Sequence, residues 1–211
     1  MEFVLNSQET VGVGLSENES EAVKTAFFNL KTDLSRAVGI HCTDAGADSR
    51  ILVGTVGVSE LTAPYVDADR LKDEQGRLRR EAYMLKVCGN RLVIAGTDRR
   101  GTIYGIYDLC ERIGVSPWHY FADVPVKVKE QFALEDGFEV IDYPSVEYRG
   151  IFINDEEELD CWARLHMDED TIGVHTYEKI FELILRLKGN YIWPAMHVNS
   201  FNLKVVCANR I

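Results

Sequence analysis

Hydrophobic positions in the first part of the chain follow the spacing of a strand and then that of a helix. Val11 to Leu15 is a short apolar run of the strand type. From Val23 to Val38, apolar residues recur every three or four positions, which predicts an amphipathic helix that ends at Gly39. Ser16 and Glu19 have the spacing of a capping box, so the helix is expected to start at Ser16.

Later apolar runs predict the rest of a sheet and a second helix. Ile51 to Gly57 is a buried strand by its pattern, and two strand-like runs between Tyr83 and Ala95 flank Gly89-Asn90, a dipeptide typical of hairpin turns. Asp98 is expected to cap a helix that has one apolar face and ends at Gly114. These elements predict an α/β domain of two layers, with two helices on one side of a mixed sheet of four or five strands.

The stretch between Ser116 and Pro144 has no helical spacing. Ser116 to Pro125 is rich in aromatic residues, which suits either a wedge between domains or a platform for a sugar. Val126 to Val140 alternates charged and apolar residues and is expected to be an extended link. The predicted boundary therefore divides the chain into residues 1–142, an α/β domain with its link, and residues 143–211.

The second part of the chain is organised around an apolar run that ends in polar residues, Tyr148 to Glu156. An acidic segment follows from Glu157 to Asp170, then an amphipathic helix from Tyr177 to Leu187, then a second apolar run from Tyr191 to His197. Strand, helix and strand in this order are the opening of a βα barrel. In such folds, the polar residues at the carboxyl ends of strands form the reaction site.

Composition narrows the class of function. The 211 residues include 34 acidic and 23 basic residues, and the resulting net charge of −11 argues against nucleic acid and anionic membranes as partners. The sequence has no secretion signal and no apolar run of about 18 residues, so the chain as given is expected to be cytoplasmic. With 46% apolar residues, it has enough material for a core.

No cofactor or metal is predicted. The five cysteines are widely spaced and include no C-x-x-C pair, which argues against a disulfide framework and against a zinc site. His41, His119, His166 and His175 stand apart from one another, and none has a cysteine at the spacing of metal ligands. Gly12 and Gly14 resemble the start of a dinucleotide-binding loop, but Glu17 stands where the third glycine belongs.

Several of these motifs together resemble glycoside hydrolase family 115, the xylan α-glucuronidases. The motifs are Gly96 to Asp108, Gly114 to Trp118, Tyr148 to Glu156 and Leu187 to Met196. The resemblance extends from about Val11 to Asn202. It implies an amino-terminal α/β domain like domain 2 of hexosaminidases, followed by a (β/α)8 barrel. It also implies inverting removal of 4-O-methylglucuronic acid, with glucuronoxylan or aldouronic acid oligosaccharides as partners and homo-oligomers left open for full-length relatives.

The chain departs from the family pattern after Phe201-Asn202. Leu203 to Ile211 is apolar and basic, where family members have a polar loop that contains acidic residues. A complete barrel needs about 200 residues or more, and the part after Pro144 is far shorter. We therefore expect a truncated (β/α)8 barrel, with at most two of its eight strands, and an inactive fragment. The alternative is a non-catalytic carbohydrate-binding or interaction module.

The candidate site residues follow the two predicted barrel strands. Asp155 and Glu156 are candidates for catalysis, and the substrate-binding candidates are Asn154, Glu156, His197 and Asn199. By spacing alone, Glu156 fits a solvated acidic run equally well; the resemblance favours a role in sugar binding. Inverting hydrolysis needs two carboxyl groups about 6.5 to 9.5 Å apart, and the residues do not identify that pair.

Two further residues near these strands have open interpretations. Arg149 precedes the apolar run, so an ion pair is favoured over binding of a uronate carboxylate. Trp193 is expected in the core rather than against a sugar, because Pro194 and Met196 adjoin it.

Overall fold

The structure is a computed structural model that describes residues 2–153 and 156–195. It forms two compact units, the first ending at Ser145 and the second beginning at Val146. In the described residues, no helix has both the length and the apolar character needed to cross a membrane. The predicted domain boundary between residues 142 and 143 stays a prediction.

The described strands of the first unit form one mixed sheet of six strands and a separate two-stranded sheet. Its described strands are β1 (Phe3–Asn6), β2 (Thr10–Leu15), β3 (His41–Asp44), β4 (Ile51–Thr55), β5 (Tyr83–Cys88), β6 (Arg91–Gly96), β7 (Gln131–Leu134) and β8 (Glu139–Asp142). Six of these described strands form one sheet in the order β3-β2-β4-β6-β5-β8, and β1 pairs with β7. Strands β3, β2, β4 and β6 are parallel, whereas β5 is antiparallel to both of its neighbours. The expected count of four or five strands was too low because both edge strands were missed.

The first helix, α1, runs over Glu21–Val38 and starts later than predicted. Ser20 is its N-cap, and its side chain accepts a hydrogen bond from the Val23 N–H. The predicted capping box is wrong because Glu19 has a different partner: its buried carboxylate accepts hydrogen bonds from the main-chain N–H and the hydroxyl of Thr55, at 2.6 and 2.8 Å. The predicted end is confirmed, since Gly39 adopts a φ of 74°.

The second helix, α2, runs over Arg99–Ile113 and follows the prediction at both ends. The Asp98 carboxylate accepts a hydrogen bond from the Gly101 N–H at 2.9 Å, and Gly114 ends the helix with a φ of 111°. The predicted apolar face is buried. Helices α1 and α2 pack together, and the Asn29 side-chain amide of α1 donates to the Tyr107 hydroxyl of α2 at 2.9 Å.

Close packing explains the two glycines of β2. A Cβ on Gly12 would lie 2.8 Å from the Ala45 Cβ, and one on Gly14 would lie 2.5 Å from the Gly46 carbonyl oxygen. Both glycines therefore let the chain after β3 pass close to the sheet. This packing role explains the pair without a nucleotide-binding loop.

Two segments without helical spacing also belong to the first unit. The region from Ser59 to Arg80 contains two short 3-10 helices, Ala63–Tyr65 and Ala68–Leu71. The expected extended link, Val126 to Val140, instead contributes β7 and part of β8. It is therefore tied to the sheets by main-chain hydrogen bonds.

The second unit consists of two strands with two helices between them. In the described residues these are β9 (Gly150–Phe152), α3 (Glu156–His166), α4 (Val174–Arg186) and β10 (Tyr191–Trp193). Strands β9 and β10 are parallel neighbours. The segment predicted only as acidic is largely helix α3, and the predicted amphipathic helix is α4.

Candidate functional site

The candidate site lies at the carboxyl ends of β9 and β10. Ile151 pairs with Ile192 and Phe152 with Trp193, so the two strands are in parallel register. The Ile153 N–H then donates to the Trp193 carbonyl at 2.9 Å, just beyond the last pair. Parallel strands end at one edge of their sheet, and substrates of such folds bind at that edge.

Most of the predicted site residues lie outside the described residues. Asn154 and Asp155 follow Ile153 directly, and His197 and Asn199 come shortly after Ala195; none of these four is described. Glu156 is described only as the first residue of α3. The acidic run that begins at Glu156 therefore belongs to a helix and is not a loop. The roles of all five residues stay predictions.

Tyr177 fixes the main chain just beyond β10. It lies on α4, is fully buried, and its hydroxyl accepts a hydrogen bond from the Ala195 N–H at 3.0 Å. This contact ties the exit of the second strand to the preceding helix. Sequence reasoning missed this contact, because Tyr177 fits the apolar stripe of the helix equally well.

Two carboxylates of the acidic segment stabilise the connection between α3 and α4. Asp160 accepts hydrogen bonds from the Thr171 hydroxyl and the Ile172 N–H, both at 2.8 Å. Glu169 accepts from the N–H groups of His175 and Thr176 and from the Thr176 hydroxyl, at 2.8, 2.9 and 2.6 Å. The main-chain bonds to Glu169 satisfy N–H donors in the first turn of α4, which have no partner within the helix.

The environment of Glu169 favours its charged form. Partial burial raises the pKa of this carboxyl, but the hydrogen bonds from Thr176 and His175 outweigh it, so the net pKa is below the ordinary value. Glu169 is thus an acceptor for a helix start. It is not a group that holds a proton near neutral pH, as a general acid must.

Arg149 organises the opposite, amino-terminal end of the strand pair. Its Nε donates to the Lys188 carbonyl at 2.8 Å, and its Nη1 donates to the carbonyls of Val146 and Glu147 at 2.7 and 3.1 Å. Its main-chain N–H donates to the Asn190 side chain at 3.0 Å. These guanidinium partners are main-chain carbonyls, and the predicted ion pair stays a prediction.

One face of the strand pair carries exposed aromatic side chains. The rings of Phe152 and Trp193 lie 5.4 Å apart, and those of Tyr148 and Tyr191 lie 6.1 Å apart. Trp193 is 57% exposed, so its expected place in the core is wrong. Residues two apart on a strand share a face, which is the signal that could have placed Tyr191 and Trp193 together. We call these four residues the aromatic face.

The described residues offer no metal centre. They contain no group of three histidine, cysteine, aspartate or glutamate side chains arranged to hold an ion. Among the described cysteines, Cys42, Cys88, Cys110 and Cys161 form no disulfide.

Comparison with family models divides the chain in a similar place to the fold. Residues 141–210 match the model of glycosyl hydrolase family 115, and residues 6–109 match that of the glycosyl hydrolase family 67 N-terminus. A search among curated proteins found no match.

Solved structures give a more extensive match. A family 115 4-O-methyl-α-glucuronidase with specificity for decorated arabinogalactans is 40% identical, with a TM-score of 0.84 over 92% of this chain. The chain spans 26% of that protein. A Flavobacterium johnsoniae chitobiase is 15% identical, with a TM-score of 0.56 over 91% of this chain and 24% of its own. A Vibrio harveyi family 20 exo-β-N-acetylglucosaminidase is also 15% identical, with a TM-score of 0.53 over 91% of this chain and 22% of its own. The last two likenesses concern the fold alone.

Proposed function

The chain belongs to glycoside hydrolase family 115, and we propose that it carries the first part of an inverting α-glucuronidase. In this proposal the first unit is a domain like domain 2 of hexosaminidases, and β9 and β10 are the first two strands of a (β/α)8 barrel. The fold likeness to the two N-acetylglucosaminidase structures supports the domain assignment. The parallel pairing of β9 and β10, with helices between them, supports the barrel assignment.

The observation that carries the proposal is the 40% identity to the family 115 glucuronidase over 92% of this chain. The reaction is removal of 4-O-methylglucuronic acid from a decorated polysaccharide. That relative acts on decorated arabinogalactans, whereas the motifs suggested glucuronoxylan. A uronic acid substituent is common to glucuronoxylan and to the arabinogalactan substrate. We therefore propose that the enzyme recognises this substituent, and both polymers are tested.

The proposed site residues stand where a barrel enzyme needs polar groups. Asp155 and Glu156 follow β9 and are the candidates for acid or base chemistry. Asn154, Glu156, His197 and Asn199 are proposed to bind the sugar. In inverting hydrolysis, one carboxylic acid protonates the leaving oxygen while a carboxylate activates water from the opposite side.

We also propose that the 211-residue chain is inactive by itself. Two parallel strands cannot close a barrel, so a pocket lined by several strand ends does not form. The exposed aromatic face supports this, since tyrosine, phenylalanine and tryptophan on a strand normally pack against neighbouring elements.

A chimera tests whether this sequence can serve the reaction. Residues 1–202 would replace the matching part of the solved family 115 glucuronidase, and release of 4-O-methylglucuronic acid would be measured on glucuronoxylan and on decorated arabinogalactan. We expect turnover of at least one polymer. A folded chimera without turnover on either would contradict the proposal.

Variants of the chimera then test the assigned residue. Glu156→Gln should lower kcat/KM by about 100-fold or more, with little change in Tm, if Glu156 transfers a proton. Glu157→Gln, one position further along α3 and exposed, is the matched control and should leave activity unchanged. Equal activity of both variants would assign Glu156 to the surface.

A further inference from the structure

The first unit carries a shallow basic groove of about 510 Å³ between α1 and the edge strand β3. Lys31, Thr32, Ser35 and Arg36 line it from the helix, and His41 lines it from the strand. Its volume lies within the range of pockets that hold small ligands, about 300 to 1,000 Å³. A basic groove is notable on a chain with a net charge of −11.

Arg36 supplies the available positive charge in this groove. It is exposed in the last turn of α1, and no described residue forms a hydrogen bond or ion pair with its guanidinium. Lys31, in contrast, is paired with Asp44 at 3.2 Å. Burial raises the pKa of the Cys42 thiol to about 11, so this lining residue is neutral at pH 7. A cation at the carboxyl end of a helix also stabilises the helix dipole, but that role does not account for the groove.

An exposed aromatic ring lies on α1 about one turn before the residues that line the groove. Phe28 is 65% exposed. It precedes Thr32 by four positions and Arg36 by eight, which places all three on one helix face. An aromatic ring binds the apolar face of a sugar, hydroxyl groups such as those of Thr32 and Ser35 bind sugar hydroxyls, and a guanidinium binds a carboxylate through two parallel hydrogen bonds.

We propose that this groove binds a uronic acid residue of an oligosaccharide, with Arg36 on its carboxylate and Phe28 against the ring of another sugar residue of the same oligosaccharide, since eight helical residues span about 12 Å. All of its lining residues belong to the first unit and none of them is a carboxylate, so the groove holds a glycan rather than cleaving it. The choice of a uronate rests on the proposed function of the chain, whereas the groove itself does not. An acidic peptide or a second copy of the chain would need contacts along an extended surface, while the groove offers one free cation among the described residues that line it.

The test is binding of a defined ligand pair to the whole 211-residue chain by calorimetry. The first probe is a xylo-oligosaccharide that carries one 4-O-methylglucuronic acid, and the second is the same oligosaccharide without it. We expect measurable binding of the first and at least tenfold weaker binding of the second, since the charged hydrogen bonds are lost. Equal binding of both, or binding of neither, would overturn the proposal.

Variants locate the site. Arg36→Gln should weaken binding about tenfold or more, and Phe28→Ala about three- to tenfold. Arg99→Gln is the matched control: Arg99 is exposed, forms no side-chain hydrogen bond or ion pair with a described residue, and lies outside the groove. Unchanged binding by Arg36→Gln, or equal loss in Arg99→Gln, would contradict the assignment. If the unmodified 211-residue chain binds neither probe while the chimera retains turnover, the groove is rejected and the proposed function is left intact.

Discussion

The central sheet of the first unit and the strand pair of the second unit differ in how they bury their side chains. All five residues of β4 are buried, and β6 is buried from Leu92 to Gly96. In β9 and β10, by contrast, the outer residues of each strand are exposed and only the central isoleucines are half-buried. The central strands of the first unit are therefore buried by the rest of that unit. The strands of the second unit instead leave the aromatic face exposed. Each unit can be tested on this difference.

The largest expected effect comes from a cavity in the first unit. Leu30 of α1 is fully buried, so Leu30→Ala should lower the free energy of unfolding by about 2–5 kcal/mol. Leu165 of α3 is 81% exposed, and Leu165→Ala should change it by about 0.5 kcal/mol or less. Chemical denaturation of both variants measures the contrast. Similar losses in the two would show that the units do not differ as described.

A smaller effect is expected from disturbing the strand pair itself. A Cβ on Gly150 would lie 1.8 Å from the Tyr191 carbonyl oxygen, so Gly150→Ala should push β9 away from β10 at a cost of about 1–3 kcal/mol. Hydrogen exchange should show faster exchange of the Ile153 N–H, which donates to Trp193. Exchange in β4 and β6 should stay as in the parent chain. Unchanged protection of Ile153 would argue against the pairing.

The smallest effect is a pH dependence confined to the second unit. The folded-state pKa of Glu169 is below its ordinary value of 4.5, so its charged form stabilises the fold above that value. This contribution is lost as the pH falls through the lowered pKa. Glu169→Gln should therefore flatten the dependence of Tm on pH below about 4.5. The exposed control Glu157→Gln should keep the dependence of the parent chain, and identical profiles for both variants would contradict this role.

Local sequence signals predicted the elements whose ends depend on neighbouring residues. Gly39 and Gly114 end their helices through a positive φ, and Asp98 caps α2 through an N–H three positions away. Gly89 likewise turns the β5–β6 hairpin with a φ of 60°. Each of these contacts lies within a few residues, which is the range that a sequence pattern covers.

Contacts between distant residues account for the errors. The Glu19 carboxylate bonds Thr55, which lies 36 positions away, and this partner removed the expected capping box. Strand β3 has little apolar character, and β8 was hidden within an expected link, so neither edge showed a strand pattern. The Tyr177 contact with Ala195 likewise depends on how α4 lies relative to β10.

The candidate site was predictable only in its position along the chain. A polar segment at the end of an apolar strand marks the edge where a barrel enzyme binds its substrate. The parallel register of β9 and β10 agrees with that placement. The two catalytic carboxyl groups are identified by the distance between them across a complete barrel. The spacing of residues along one strand does not predict that distance.

The most direct test of the account is an assay of the 211-residue chain beside the chimera. Both proteins would be incubated with glucuronoxylan and with decorated arabinogalactan, and released 4-O-methylglucuronic acid would be measured. A sizing column would record the assembly state of each. We predict turnover by the chimera, no turnover by the chain, and self-association of the chain through its exposed aromatic face. Clear turnover by the chain as a monodisperse monomer would contradict the account.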